Sequence, residues 1–309
     1  MRGFLELSRD QRIFEIGGVK LGGKLGELPT VLCGSIFYHK HKIVADPIKG
    51  VFDRAEAERL LVQQDEWADK TGNPCMVDVV GESSEALAKY LDFVADVTDA
   101  PILLNGLTAE IRVEALRYAA EAGLLDRVIY TSINYAVRRE ELELIRELGL
   151  EAALIQTFNP RNPMPRGSLS MLSGENGLLT LSEKYGITKP LLLPPVLDVP
   201  SIGLAAEAIR LLKEEVGLPT GAAPCGVVGY WKKAREGGRY RKALCSASAL
   251  ALIQASGADF VIYGSIRKAP DVFPVCAMVD AIIAYTARMW GVRPLTRSHP
   301  LYKYLPDRL

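Results

Sequence analysis

The sequence predicts an α/β protein, a (β/α)8 TIM barrel preceded by an N-terminal β-hairpin, on three observations. Eight short runs rich in Val, Ile and Leu alternate with longer stretches of helical period. The runs are apolar nearly throughout, as strands buried on both faces of a parallel sheet must be. The 309 residues match one such barrel with extensions, so a single domain over residues 1–309 is expected.

The elements follow in order. Arg12-Ile13-Phe14-Glu15-Ile16 alternates, Gly17-Gly18 offers a turn, and Val19-Lys20-Leu21 returns, a hairpin suited to plugging the barrel bottom. Barrel strands are expected at 30–37, 76–80, 101–104, 128–133, 152–157, 191–196, 221–228 and 260–263. Helices are expected at 53–70, 83–97, 108–122, 140–148, 201–216, 243–256 and 274–290, with a weaker one at 178–185. Ser83 suits an N-cap, and Gly123, Gly149, Gly217, Gly257 and Gly291 stand where helices should stop. Strict alternation leaves a closed barrel or an open doubly wound sheet. Eight units, with no Gly-x-Gly-x-x-Gly at the first turn, favour the barrel.

Composition narrows the function. The 37 basic residues balance 37 acidic ones, against a nucleic-acid binder. The start, Met1-Arg2-Gly3-Phe4-Leu5-Glu6, shows no leader-like apolar stretch, and the apolar runs at 244–255 and 275–284 fall short of a bilayer span. Cys33, Cys75, Cys225, Cys245 and Cys276 are odd in number and far apart, against a disulfide framework. A cytoplasmic protein without membrane insertion is expected.

Barrel chemistry gathers where strands end. The polar residues there are Ser35, Asp78 and Glu82, Asn105, Ser132 and Asn134, Gln156 and Asn159, Asp198, and Ser265, with Cys225 and backbone-open Gly226 after the seventh strand. Carboxylates and amides at that density suit the alternating donor and acceptor edge of a flat heterocycle such as a pterin. Taken singly, each also suits a residue capping a strand or helix. Asp78 differs, because its neighbours are apolar on both sides and a buried acid needs a partner or a ligand.

Other chemistries are poorly served. His39, His41 and His299 lack zinc-site spacing and read as solvated, so no tightly bound metal is expected. There is no nucleophile elbow or Walker loop. Lys268 is the nearest approach to a Schiff-base lysine, and Cys225 reads as a small buried thiol. Lys40, Lys42 and Lys49 follow the first strand, while Lys232, Lys233, Arg235, Arg239, Arg241 and Lys242 follow the seventh, among Tyr230, Trp231 and Tyr240. That basic loop is either solvated or a landing site for an anionic tail or an acidic partner.

Several blocks resemble the H subunit of tetrahydromethanopterin S-methyltransferase. They are Phe14-Glu15-Ile16-Gly17-Gly18-Val19, Gly34-Ser35-Ile36-Phe37-Tyr38, His41-Lys42-Ile43-Val44 and Asp78-Val79-Val80-Gly81-Glu82. Further on come the long string from Phe93 to Leu104, Ser132-Ile133-Asn134, Ala152-Ala153 and Val196-Leu197-Asp198-Val199-Pro200-Ser201-Ile202-Gly203. The family has a bacterial methylcorrinoid:tetrahydrofolate methyltransferase branch of glycine betaine and methylamine catabolism. The resemblance implies a reduced pterin at the barrel mouth, a corrinoid protein carrying cobalamin docked above it, and a homodimer. It gives Asp78 and Asn134 the catalytic positions and Asp198 the pyrimidine edge. Asn105, Gln156, Gly226 and Ser265 complete the expected pterin site, and Lys232, Lys233 and Arg235 the corrinoid-partner or anionic-tail contact. Two departures, Asn105 where the family pattern has an Asp and an Ala223-Pro224-Cys225-Gly226 segment without the Asn that related methyltetrahydrofolate–corrinoid enzymes place there, suggest an altered pterin preference, read here as tetrahydrofolate. The alternatives are the same reaction with tetrahydromethanopterin, or a non-catalytic docking protein.

Overall fold

The computed structural model describes residues 7–305, so the start that reads as leaderless lies outside the described residues. Strands β1 (Ile13–Ile16) and β2 (Val19–Gly22) form the expected antiparallel hairpin, whose alternation buries Phe14, Ile16 and Leu21. The barrel begins with β3 (Val31–Ile36), after which β4 (Val44–Asp46) and β5 (Val51–Phe52) form an unexpected small ribbon. It continues through β6 (Cys75–Gly81), β7 (Ile102–Gly106), β8 (Val128–Ile133), β9 (Ala152–Gln156), β10 (Lys189–Leu193), β11 (Gly221–Ala222) and β12 (Phe260–Ser265). These eight strands pair parallel in the order β10-β9-β8-β7-β6-β3-β12-β11. A bridge from Leu192 to Thr220 joins the two ends, with the Leu192 N–H donating to the Pro219 carbonyl at 2.8 Å. The hairpin lies across the N-terminal ends, where Gly17 donates to Asp126 O and Arg12 to Gly217 O, in segments preceding β8 and β11.

Helices α1 (Arg54–Thr71), α2 (Ser84–Val97), α3 (Ala109–Glu121) and α4 (Arg139–Leu148) follow β5, β6, β7 and β8. Asp53, Ser83 and Thr108 cap the first three by accepting the N–H groups of Glu56, Ala86 and Ile111, each cap contributing about 1 kcal/mol. Next come α5 (Pro165–Ser170), α6 (Leu178–Lys184) and α7 (Ser201–Glu215), then α8 (Cys225–Tyr230), α9 (Lys232–Glu236) and α10 (Gly238–Ala255). Helices α11 (Ala269–Ala287) and α12 (Pro300–Lys303) complete the described chain.

Several expectations need correction. The seventh strand ends at Ala222, because Pro224 has no N–H for a ladder, and the apolar residues Val227 and Val228 lie in α8 instead. The sixth stops at Leu193 for the same reason, ahead of Pro194 and Pro195. The basic stretch after the seventh strand is helical, divided between α9 and the start of α10. His41 and His299 are buried: Nδ1 of His41 accepts the Phe37 N–H while its ring stacks on Tyr38, and His299 caps the Leu301 N–H. Burial, with Arg267 nearby, lowers the His41 pKa to about 4, and only His39 is solvated.

The last barrel helix starts five residues earlier than expected. Pro270 takes its first turn, where a missing N–H does no harm, and Pro274 lies inside. With its flanking turns, Ile266–Trp290 is long and apolar enough to cross a membrane by length and composition. Here it packs between α1 and α10, burying Val272, Phe273, Cys276, Ala277, Ala281 and Ala284.

Asp280 of α11 ties this helix to the base of β3. Its carboxylate accepts the Thr30 N–H at 2.9 Å, the Thr30 hydroxyl at 2.8 Å, and the Asn73 and Gln254 amides at 2.6 and 3.0 Å. Burial outweighs these donors and pushes its pKa up to about 6, so the folded state holds the proton more tightly than an unfolded carboxyl titrating near 3.8. This contribution to stability is full below 3.8 and is lost as pH rises through about 6. Wild type should therefore lose roughly 3 kcal/mol more than Asp280→Asn between pH 4 and 7. Urea melts at matched pH measure the difference; parallel profiles would remove Asp280 as its source.

Candidate active site

Because all eight barrel strands run parallel, their C-terminal ends open on one mouth, and register places the polar residues there in rows. Ser265 pairs with Ser35, and Ser35 with Asp78, across β12, β3 and β6. Asp78 is 5% exposed, and each carboxylate oxygen accepts one bond: the Ser35 hydroxyl at 2.6 Å and the Asn105 amide at 2.9 Å. Both partners are neutral. Burial raises the Asp78 pKa, against the two hydrogen bonds that lower it. Each oxygen retains acceptor capacity, so the carboxylate can still receive donors from a ring placed above it. On the other side of the row, Tyr38 donates its hydroxyl to Ser265 Oγ at 2.9 Å.

The other expected site residues divide into two groups. Gln156 ends β9 half-buried and, among the described residues, makes no side-chain hydrogen bond, leaving both ends of its amide for a ligand. Asn134 is half-buried and locally engaged, its amide donating to Ser132 Oγ at 3.3 Å and its carbonyl accepting the Ala136 N–H at 2.8 Å. Asp198 is exposed and exchanges bonds with Ser201 at the start of α7: its Oδ1 accepts the Ser201 N–H while Ser201 Oγ accepts the Asp198 N–H, both at 2.9 Å. Gly226 is exposed in α8, with no atom within 4 Å of where a Cβ would lie. Lys232, Lys233 and Arg235 of α9 are exposed, Lys232 reaching Glu236 only at 3.7 Å. So β3, β6, β7 and β12 gather Ser35, Asp78, Asn105 and Ser265, whereas Asp198 and the α9 cations stand outside this hydrogen-bonded row.

Two features escape a reading confined to polar strand ends. Segments following five successive strands each expose a large apolar side chain: Leu107, Tyr135, Met164, Leu197 and Tyr230. A search for apolar residues one or two positions beyond each expected strand finds Tyr135, Leu197 and Tyr230. The second feature is a cavity of about 340 Å³ between α10, α11 and the end of β12, lined by Arg239, Lys242, Ser246, Arg267, Lys268 and Asp271. Its residues come from two distant segments, so no local motif announces it. Among the described residues, no group of three or more His, Cys, Asp or Glu side chains is arranged to hold a metal.

Comparison with known proteins adds family and fold. Residues 9–295 match the family described as tetrahydromethanopterin S-methyltransferase MtrH subunit. The H subunit of the tetrahydromethanopterin S-methyltransferase of Methanocaldococcus jannaschii is 40% identical, over 96% of this chain and 99% of that one. Its Methanopyrus kandleri counterpart is 39% identical, over 94% and 97%. The H subunit of a putative mtx methyltransferase of Methanosarcina barkeri is 36% identical, over 96% and 98%. Among solved structures, Yersinia pestis dihydropteroate synthase with a pterine-sulfa conjugate superposes with TM-score 0.60 at 14% identity, covering 90% of this chain and 100% of that one. At that identity the likeness shows a shared barrel fold.

Proposed function

We propose, on the premise that the chain belongs to the MtrH methyltransferase family, that it moves a methyl group between N5 of a reduced pterin at its mouth and the cobalt of a corrinoid protein docked above. Asp78 carries this reading. A buried carboxylate with two neutral partners and acceptor capacity to spare, at the mouth of a barrel, suits the amino and ring N–H donors of a pterin.

The partner's corrinoid is the second substrate, and its cobalt gives up or receives the methyl group. This chain's residues bind the ring, orient N5 toward the partner and keep bulk water away. An amine leaves readily only if N5 is protonated or hydrogen-bonded as its bond to carbon breaks. The Asn134 amide, or a water held by it, supplies that bond, Asp78 accepts the ring's N–H groups, and Asn105, Gln156, Asp198, Gly226 and Ser265 surround the ring. The exposed apolar residues around the mouth support a docking face, with Lys232, Lys233 and Arg235 beside it. We infer a cytoplasmic homodimer of single-domain chains; the outward stripe Met278, Ile282, Tyr285 and Met289 on and just after α11 supports self-association.

Tetrahydrofolate is the pterin that Asn105 and the altered seventh strand favour. Tetrahydromethanopterin is the second reading, favoured by the names of the relatives. Anaerobic calorimetric titration of the purified chain with each pterin tests both. Saturable binding of either, lost in Asp78→Ala, is expected. Binding of neither would leave a docking protein without catalysis.

A further inference from the structure

The cavity beside β12 holds more positive charge than its own carboxylates answer. Of its four cationic residues, Arg239 turns to Asp271 at 3.3 Å and Arg267 to Glu56 of α1 at 2.9 Å. Lys242 and Lys268 have no carboxylate within ion-pair distance among the described residues. Lys268 is half-buried, and its ammonium makes one long hydrogen bond, 3.4 Å to the Tyr263 carbonyl, leaving two N–H groups for another acceptor. Burial lowers its pKa, the nearby Cys225 thiol opposes that, and Lys242 lowers it further. Asp271 on the cavity wall offsets part of this charge but is already paired with Arg239, so the two neighbouring ammonium groups keep a positive excess that an anion would relieve.

The cavity is also well placed. Loops after the seventh and eighth strands are where barrels of this kind hold anionic groups, and α10 follows β11 as Lys268 follows β12. Lys268 Nζ lies 3.6 Å from a Cβ built on Gly264, next to Ser265 in the row that leads through Ser35 to Asp78. Two strand spacings separate β12 from β6, about 10 Å at the usual interval. A tail running from a ring on Asp78 would have about that distance to cover to reach Lys268 beside Gly264.

We propose that this cavity is an anion subsite, taking the carboxylate or phosphate carried on the side chain of the bound pterin. This rests on the pterin-binding reading above. It moves the anionic-tail role from Lys232, Lys233 and Arg235, which point into solvent, to Lys242 and Lys268.

The test is calorimetric titration of the full-length protein at low ionic strength with two ligands. Tetrahydrofolate carries an anionic tail; 6-methyltetrahydropterin has the same ring without one. In Lys242→Gln and Lys268→Met, affinity for tetrahydrofolate should fall about tenfold or more, the usual effect of losing a charged hydrogen bond, with 6-methyltetrahydropterin unchanged. Inorganic phosphate should weaken tetrahydrofolate binding to wild type and leave the tail-less pterin alone. Repeating the series with tetrahydromethanopterin separates a phosphate-bearing tail from a carboxylate one, the larger loss marking the group the cavity takes. Equal losses for both ligands, or none for either, would overturn the subsite while leaving ring binding intact. If wild type binds no reduced pterin at all, the functional reading falls and the subsite with it.

Discussion

Asp78→Asn is expected to reduce pterin affinity or methyl transfer by about 10²–10³-fold, the scale of losing hydrogen bonds to a buried charge, with no loss of thermal stability. The two effects part company because of what surrounds the carboxylate. Its partners, Ser35 and Asn105, are both neutral, and burial raises its pKa, so the ionised form is held in the fold at a cost. An amide of the same shape removes that cost. Its NH2 replaces one of the two oxygens, where the Ser35 hydroxyl can turn to accept, and removes one acceptor from the mouth. A melting temperature equal to or above wild type, with activity lost, marks a residue retained for its ligand. A fall in melting temperature with activity intact would make Asp78 part of the scaffold only. The pH profile gives a second readout. A carboxylate titrating above its ordinary range loses its acceptor role as pH falls, so ligand binding should weaken on the acid side in wild type and stay level in Asp78→Asn.

Asp78 is legible in the sequence because the physics is local: an acid inside Met76-Val77-Asp78-Val79-Val80 must be buried, and a buried acid must have donors. Ser35 and Asn105 are legible as strand-end polars for the same reason, though only the register across β3, β6 and β7 shows that all three meet. Most barrel strands read correctly because burial on both faces leaves an apolar run that little else mimics at that length. The seventh misleads because Gly221–Val228 is apolar enough for a strand or a buried helix, and only Pro224 tells where one becomes the other. His41 reads as solvated because its neighbours Lys40 and Lys42 are exposed; the stacking with Tyr38 that buries it comes from a tight turn rather than from periodicity. Lys268, read as a weak nucleophile candidate, acquires meaning only beside Lys242, a residue 26 positions away on a different helix.

Lys213→Met should destabilise the barrel by about 3–5 kcal/mol, the scale of breaking one partner out of a buried pair. Lys213 of α7 is 1% exposed at its side chain and Asp259 8%, and the ammonium meets both carboxylate oxygens, at 2.7 and 2.8 Å. The ammonium also donates to the Gly23 carbonyl beside the N-terminal hairpin, and Asp259 accepts the Thr220 N–H just before β11. The pair thus fastens α7, the hairpin and the last two strands at the barrel bottom, far from the mouth. Methionine fills the space of the lysine stem but leaves Asp259 buried without its counter-charge. Burial already pushes the Asp259 carboxyl up, and Lys213 is what holds it down. In the variant its folded-state pKa therefore lies further above the unfolded value, so the variant regains stability as pH falls and its deficit narrows toward acid. The double variant Lys213→Met with Asp259→Leu should recover part of the loss at neutral pH, since no charge is then stranded. Urea melts of the four proteins in the cycle measure this. A double variant as unstable as the sum of the singles would mean that the two side chains act through packing alone. Pterin affinity should be unchanged in whatever fraction folds, which separates the barrel bottom that holds the molecule together from the mouth that does its chemistry.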